Sequence, residues 1–276
     1  HVNREDQFNH TIVPSANVKW YSPPTGAEMV WLNSSSRLTF PTRFTGDARE
    51  VLVEGEVYFD VKHDENKPFI VRINDVSVRV LGTKFCVSAY PENEGIMTTL
   101  VQGTVQVISG GNQVVLKPGY QAVVDQRSGT ISQRAVELSL YTSWVRGVFE
   151  YENMELDDIV VQLARWYDVQ FTFSASEYKK RRFTGVVRKY EDLNGVLDMI
   201  EKTTNVKFII NGRNVTITSV MKYKKHKNGK FSQHSPFYVE NLMAAFGKRL
   251  RLLIKVSKCM KKRRNSTQSS PENARG

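Results

Sequence analysis

Two glutamates come closest, by type and spacing, to a catalytic arrangement in this chain. Glu54 and Glu56 flank Gly55, and the two-residue period of a β-strand would place both carboxylates on one face. Glycosidases use such a pair, with one carboxylic acid protonating the leaving group and one carboxylate acting as nucleophile or base. Charged residues at alternate strand positions also form ordinary solvated faces. We favour that interpretation and predict that the pair is exposed and not catalytic.

Histidine is too scarce in the centre of the chain to support other common chemistry. His1, His10, His226 and His234 lie towards the two ends, which leaves His63. A metal enzyme built on a β-fold needs several histidines and a carboxylate around one ion. The sequence contains neither the G-x-S-x-G motif of a nucleophile elbow nor the G-x-x-x-x-G-K-[ST] motif of a phosphate loop. We therefore predict no enzyme, no metal and no cofactor, with His63 in a polar turn.

Aromatic residues in the first part of the chain suggest an alternative, non-enzymatic function. A flat aromatic platform could stack on sugars, as in glycan-binding modules, and the candidates are Trp20, Tyr21, Trp31, Phe40 and Phe44. Their alternation along strands indicates core packing instead. A glycan-binding β-module of a cell-envelope protein stays open as the alternative.

The net charge does not indicate a nucleic-acid partner. The 276 residues carry a formal charge of +11, but from Ser219 onward fifteen Lys and Arg face two acidic residues. The preceding part therefore has a formal charge of −2, and we predict no nucleic-acid binding. Two cysteines are too few for a zinc site. Cys86 lies in an apolar run and Cys259 in the basic tail, so we expect no disulfide between them.

Short alternating runs with Gly, Asn and Pro turns predict an all-β domain over residues 16–133, after a leader at 1–15. Glu50–Val53 and Val57–Val61 read as separate strands, divided at Gly55. The pattern is typical of a sandwich, a jelly roll or a short β-helix, and it does not choose among them.

After a predicted linker at 134–146, a small α+β domain is expected over residues 147–218. Apolar residues from Leu156 to Tyr167 recur at helical spacing, and Asn153 is placed to cap that helix. Seven apolar positions recur 37 residues later, namely Leu156/Leu193, Ile159/Val196, Val160/Leu197, Leu163/Ile200, Val169/Val206, Phe171/Phe208 and Phe173/Ile210. This offset predicts two strand–helix–strand repeats, with both helices on one face of a sheet.

The basic tail at 219–276 is predicted to be disordered. An alternative is a basic amphipathic helix within Tyr238–Met260, suited to an anionic surface.

Several unusual strings, in a fixed order between Trp20 and Thr218, resemble the FecR family. They are V-W-L-N-S-S-S-R-L-T-F-P, V-E-G-E-V-Y-F-D-V-K-H-D, K-P-F-I-V, V-R-V-L-G-T-K-F-C-V, L-V-Q-G-T-V-Q-V and L-K-P-G-Y-Q-A. The segment Phe149–Ile217 resembles the domain that follows FecR in Bacteroidetes members, which is similar to the secretin and TonB N-terminus fold.

The resemblance implies the periplasmic sensor portion of an inner-membrane anti-sigma factor. In that family, a TonB-dependent outer-membrane transporter presents a periplasmic signalling domain to the FecR sensor, which then regulates an extracytoplasmic-function sigma factor. The expected partners are that signalling domain and, through a cytoplasmic segment not included in this chain, the sigma factor. The membrane anchor would likewise lie outside this sequence, so we expect these residues in the periplasm.

A partner protein can bind by adding a strand to an exposed sheet edge. We predict that the docking strand is formed by Arg182, Phe183, Thr184, Gly185, Val186 and Val187. The basic run Lys179–Arg182 would give this edge positive charge, or would simply form a solvated loop.

Overall fold

A computed structural model describes residues 8–13, 19–21, 27–188 and 191–219. Apart from Ser219, the predicted basic tail lies outside the described residues, and so does the alternative helix within Tyr238–Met260. The predicted leader is described at Phe8–Val13, where it forms a strand that pairs with Ser36–Pro41. The division of the chain into a leader at 1–15 and a β domain from residue 16 stays a prediction.

The described residues form strands and helices in the following order. The strands of the first region are β1 (Phe8–Val13), β2 (Lys19–Tyr21), β3 (Ala27–Leu32), β4 (Ser36–Pro41), β5 (Arg49–Val61), β6 (Phe69–Ile73), β7 (Val76–Val80), β8 (Lys84–Ala89), β9 (Gly95–Gln102), β10 (Val105–Ser109), β11 (Asn112–Leu116), β12 (Tyr120–Asp125) and β13 (Ile131–Ala135). They are followed by α1 (Ser139–Thr142), β14 (Val148–Glu155), α2 (Leu156–Tyr167), β15 (Gln170–Phe173), β16 (Arg182–Arg188), α3 (Leu193–Thr204), β17 (Val206–Asn211) and β18 (Asn214–Ser219).

Strand β5 joins two halves of the 13-stranded β region. Its first half pairs with β4 and β6, whereas its second half pairs with β3 and β8. The two halves close around one core, in an arrangement close to a barrel. The predicted all-β class is confirmed, and the long shared strand is the feature that the sequence pattern left open.

The prediction that Gly55 divides two strands is wrong, because β5 continues through it. Gly55 has a left-handed φ of 87°. A Cβ at this position would lie 2.5 Å from the Ser36 Oγ and 2.8 Å from the Ser36 Cα. Glycine is therefore needed where β5 changes from one set of neighbours to the other.

The core of the β region consists of the inward residues of both halves. Phe59 on β5 lies with its ring centroid 5.1 Å from that of Phe85 on β8 and 5.5 Å from that of Phe69 on β6. All three side chains are essentially inaccessible to solvent. The strict alternation of buried residues along β5 follows from the two-residue period of the strand.

The 37-residue repeat is confirmed in the helices of the α+β region. Helices α2 and α3 each have twelve residues and begin 37 positions apart. Each ends at a left-handed residue, Asp168 with a φ of 57° and Asn205 with a φ of 56°, again at the same offset. Left-handed C-terminal residues let the chain leave the helix sharply, so both helices turn directly into a strand.

The strands around these helices form two sheets, so the prediction of one sheet is wrong. The first strands of the two repeats, β14 and β16, pair with each other. The second strands, β15 and β17, flank the final strand β18. Buried residues of both helices and both sheets form a second hydrophobic core.

The start of α2 is also different from the prediction. Asn153 does not cap the helix but lies in β14, where it has a φ of 47° beside a register shift. The backbone N–H groups of Leu156 and Asp157 instead donate to the carbonyls of Arg181 and Lys179. The chain before β16 therefore supplies the cap, which a local sequence motif could not reveal.

Among the described residues, no helix has both the length and the apolar character that crossing a membrane requires.

Replacing Gly55 with alanine is expected to lower the free energy of unfolding by at least about 2 kcal/mol. The alanine must adopt a left-handed backbone conformation, and its Cβ meets the Ser36 backbone. Chemical denaturation of the folded protein measures this change.

Gly195→Ala is the matched control, because Gly195 is exposed in the first turn of α3. The nearest atom to its added Cβ is the Asp192 Oδ1, at 3.7 Å. We expect this variant to gain up to about 1 kcal/mol from better helix propensity. A Gly55→Ala variant as stable as the parent would contradict the requirement for glycine at this position of β5.

Candidate functional site

The predicted docking strand is β16, which pairs on one side with β14. Within the part of the chain that the structure describes, the sheet contains these two strands alone. In this part of the chain, the second edge of β16 pairs with no other strand.

Side chains along β16 alternate between solvent and core. Arg182, Thr184 and Val186 are exposed, whereas Phe183 and Val187 are buried in the second core. Of the six predicted site residues, only the exposed three can meet a partner with their side chains. Phe183 and Val187 instead hold the strand against the helices.

Gly185 has a packing role on β16. A Cβ at this position would lie 2.5 Å from the Cζ of Phe183, because the aromatic ring crosses the glycine. The Phe183 ring thus covers Gly185, so Gly185 does not offer a contact surface to a partner.

Polar contacts tie the start of β16 to the register shift in β14. Arg182 donates to the Asn153 carbonyl at 2.6 Å and pairs with the Glu155 carboxylate at 2.5 Å. The Thr184 Oγ1 accepts from the Asn153 N–H at 2.9 Å. Val186, 48% exposed, is the apolar side chain that β16 leaves in solvent.

The basic run before β16 is partly neutralised. The Lys179 Nζ lies 3.2 Å from the Asp157 carboxylate, at the start of α2. Since Arg182 also has an acidic partner, the exposed charge of the basic run itself comes from Lys180 and Arg181. The predicted positive edge is therefore weaker than the four basic letters suggest.

A second candidate site lies where α2 packs on the outer face of the β region, within one compact unit of the chain. We call it the junction and define it by Asn33, Glu56, Tyr90, Arg165 and Trp166. The Trp166 indole N–H donates to the Asn33 Oδ1 at 2.9 Å, and the Asn33 Nδ2 donates to the Glu56 Oε2 at 2.6 Å. One amide therefore links a carboxylate of β5 to an indole of α2.

Arg165 makes the second contact across the junction. Its guanidinium lies 3.7 Å from the centroid of the Tyr90 ring and forms an ion pair with the Glu92 carboxylate. The Tyr90 hydroxyl in turn donates to the Ser34 carbonyl at 2.9 Å. The planar guanidinium is held both by the Tyr90 ring and by the Glu92 carboxylate. This double contact helps to fix the orientation of α2 on the β region.

The prediction that Glu54 and Glu56 form a solvated face is wrong for Glu56. Glu54 is exposed, whereas Glu56 is partly buried where β5 meets Asn33 and the second core. Burial raises the pKa of Glu56 from 4.5 to about 7, against the opposing effects of the Asn33 hydrogen bond and the Arg165 charge. The two carboxylates thus differ in environment and do not act as a pair.

Neighbouring groups share this enclosed environment. The Cys86 Sγ lies 3.9 Å from the Glu56 Oε1, and burial with the nearby Glu56 charge raises the pKa of this free thiol well above its ordinary value. The same two causes raise the pKa of Tyr90. At neutral pH the thiol and the phenol are therefore uncharged, and the thiol points at the carboxylate.

The other candidate residues gain little from the structure. Trp31 is partly buried; it packs edge-on against Tyr58, with ring centroids 5.4 Å apart, and contacts the second core, so part of this ring is used for packing. His63 lies in an exposed loop beside Glu65. Over the described ranges, no group of His, Cys, Asp and Glu side chains is arranged to hold a metal.

Sequence reasoning missed the junction, although one signal was present. Three successive residues of β8, Phe85, Cys86 and Val87, are buried, and Cys86 belongs to the second core. An apolar run without alternation indicates a strand that is covered on both faces. That pattern could have shown that something packs on the outside of the β region.

Glu56→Gln is expected to remove a loss of stability as the pH rises. Because the folded-state pKa of Glu56 lies above its unfolded value of 4.5, the folded protein binds the proton more tightly, and stability falls between about pH 4.5 and pH 7. The free energy of unfolding of the parent should fall by about 1–3 kcal/mol over this window. Denaturation at a series of pH values measures the change.

The exposed Glu54→Gln variant is the control and should keep the parent's pH dependence. If Glu56→Gln shows the same fall in stability between pH 4.5 and pH 7 as the parent, the carboxylate is not enclosed in the way described.

Comparisons with known proteins agree with the two-part architecture. The profile described as FecR protein matches residues 24–106, and the profile described as FecR, C-terminal matches residues 148–217. No curated protein matches the sequence.

Two crystal structures of a candidate anti-sigma factor from Parabacteroides distasonis ATCC 8503 are similar to this chain. Each has a TM-score of 0.70 and 27% sequence identity, and the matches cover 77% and 78% of this chain and all of the other. The profiles together span more than half of the sequence, and the structural likeness extends across both regions. The chain therefore belongs to the FecR family of anti-sigma factors.

Proposed function

We propose that the chain is the periplasmic sensor portion of an inner-membrane anti-sigma factor, which receives a signal from a TonB-dependent outer-membrane transporter and regulates an extracytoplasmic-function sigma factor. Membership of a regulatory, non-enzymatic family supports this proposal. The observation that carries it is the open edge of the β14–β16 sheet, which suits the docking of a partner strand.

Strand addition gives β16 a physical basis for recognition. The backbone groups of its second edge can hydrogen-bond to an incoming strand and supply most of the affinity. Specificity then depends on the exposed residues Arg182, Thr184 and Val186. The likeness of this region to the secretin and TonB N-terminus fold stays a prediction.

A route for transmission leads from β16 to the junction. β16 is tied to β14 through Thr184 and Arg182, and Phe149 of β14 packs against Trp166, with ring centroids 4.1 Å apart. Trp166 holds the β region through Asn33. A partner strand that shifts β14 would therefore strain the junction, and it transmits a signal if it binds two junction states with unequal affinity.

Val186→Asp is expected to weaken binding of the transporter's isolated signalling domain by about tenfold or more. A docked strand would cover Val186, and covering an unpaired carboxylate is costly. Isothermal titration calorimetry measures the affinity. The signalling domain should come from the TonB-dependent transporter encoded beside this protein.

Val115→Asp is the matched control. Val115 is 56% exposed and lies on β11, at an edge of the β region and far in sequence from β16. We expect its affinity to equal that of the parent. If the parent does not bind the domain, or if the two aspartates weaken binding equally, the proposed contact at β16 is wrong.

A further inference from the structure

A cleft of about 660 Å³ opens beside the junction, between the β region and α2. We define it by six of the residues that line it, Glu56, Tyr90, Glu94, Trp144, Asp158 and Trp166. Its volume falls within the range of small-ligand sites, and such sites commonly lie where two structural regions meet. The junction itself does not fill this space.

Acidic side chains outnumber basic ones around the cleft. The acidic lining residues are Glu56, Glu92, Glu94, Asp157 and Asp158, and the basic ones are Arg134 and Arg165. Glu92 and Asp157 already have ion-pair partners in Arg165 and Lys179. Among the described residues, Glu94 and Asp158 form no ion pair and neither does Arg134, so the lining keeps a surplus of negative charge when Glu56 is ionised.

The pKa of Asp158 reflects this surplus of negative charge. Burial, followed by the charges of Glu155 and Asp157, raises its pKa. A like-charge contribution of this kind is relieved when a cation binds nearby.

The aromatic walls are suited to an organic cation. Tyr90, Trp144 and Trp166 are buried side chains that line the space, and the Arg165 guanidinium already stacks on the Tyr90 ring at 3.7 Å. Aromatic faces attract guanidinium and ammonium groups, most strongly where water is excluded. Since Arg165 already occupies the Tyr90 ring, these buried side chains would act on a second cation mainly by excluding water around Glu56.

We propose that the cleft binds the guanidinium or ammonium group of an organic cation, with the Glu56 carboxylate as its principal acceptor and Glu94 and Asp158 attracting it at the mouth. The cation would belong to a basic side chain of a peptide segment or to a free amine. The inference concerns a site separate from the β16 edge and does not rest on the proposed transporter contact.

The groups facing Glu56 predict how binding depends on pH. They are the Cys86 thiol, the Tyr90 phenol and the Asn33 amide, which are uncharged, and Arg165, which supplies the positive charge. A bound cation favours the ionised carboxylate, whose pKa is about 7 in the free protein. Affinity should therefore be about tenfold or more higher at pH 8 than at pH 5.5.

The test uses a blocked Ala-Arg-Ala tripeptide and the same peptide with citrulline, the neutral isostere of arginine. Titrations followed by isothermal calorimetry and by tryptophan fluorescence at pH 8 should show binding of the arginine peptide. The citrulline peptide should bind at least about tenfold more weakly, since it lacks the charge that the carboxylate recognises. Agmatine binding as tightly as the peptide would assign the site to free amines, and tighter peptide binding would assign it to a peptide segment.

Glu56→Gln and Glu54→Gln are the matched variants, because they lie two residues apart on β5 and only Glu56 lines the cleft. Glu56→Gln should weaken binding of the arginine peptide by at least about tenfold and abolish its pH dependence, whereas Glu54→Gln should change neither. Thermal unfolding of both variants confirms that they are folded. Absence of binding, equal binding of the citrulline peptide, or equal effects of the two variants would each overturn the proposal.

Discussion

The chain of hydrogen bonds from Glu56 through Asn33 to Trp166 is the interaction on which the arrangement of the protein depends. Asn33 is buried and uses both ends of its amide, donating to Glu56 and accepting from the Trp166 indole and the Ser34 N–H. Buried polar groups are costly unless they are paired. Moving α2 on the β region would leave some of these groups unpaired, so the pairing requirement helps to orient the two cores.

Strand β5 makes this interaction possible because its two faces contact different parts of the protein. Its inward residues fill the first core, while its outward face changes from solvent at Glu54 to the junction at Glu56. The left-handed Gly55 lies between these two positions. The left-handed residue of the longest strand therefore lies at the point where the second region begins to pack on the sheet.

The β14–β16 sheet stands in contrast to this well-braced junction. A two-stranded sheet is marginally stable by itself and needs a hydrophobic surface to pack on. Phe183 and Val187 provide that packing, while the outer edge of β16 pairs with no other strand among the described residues. Aromatic packing between Phe149 and Trp166 connects this sheet to the junction.

The order of the elements was determined by the sequence alone. Alternation and turn residues predicted the β region, and apolar residues at helical spacing, repeated 37 residues later, predicted the two helices. Both signals depend on the local pattern within one segment and can be read without knowing tertiary contacts. Tertiary structure decided the rest. The capping of α2 by the carbonyls of Lys179 and Arg181 and the burial of Glu56 depend on contacts between residues far apart in sequence. No local pattern distinguishes Glu54 from Glu56, since only the position of α2 makes one carboxylate exposed and the other partly buried.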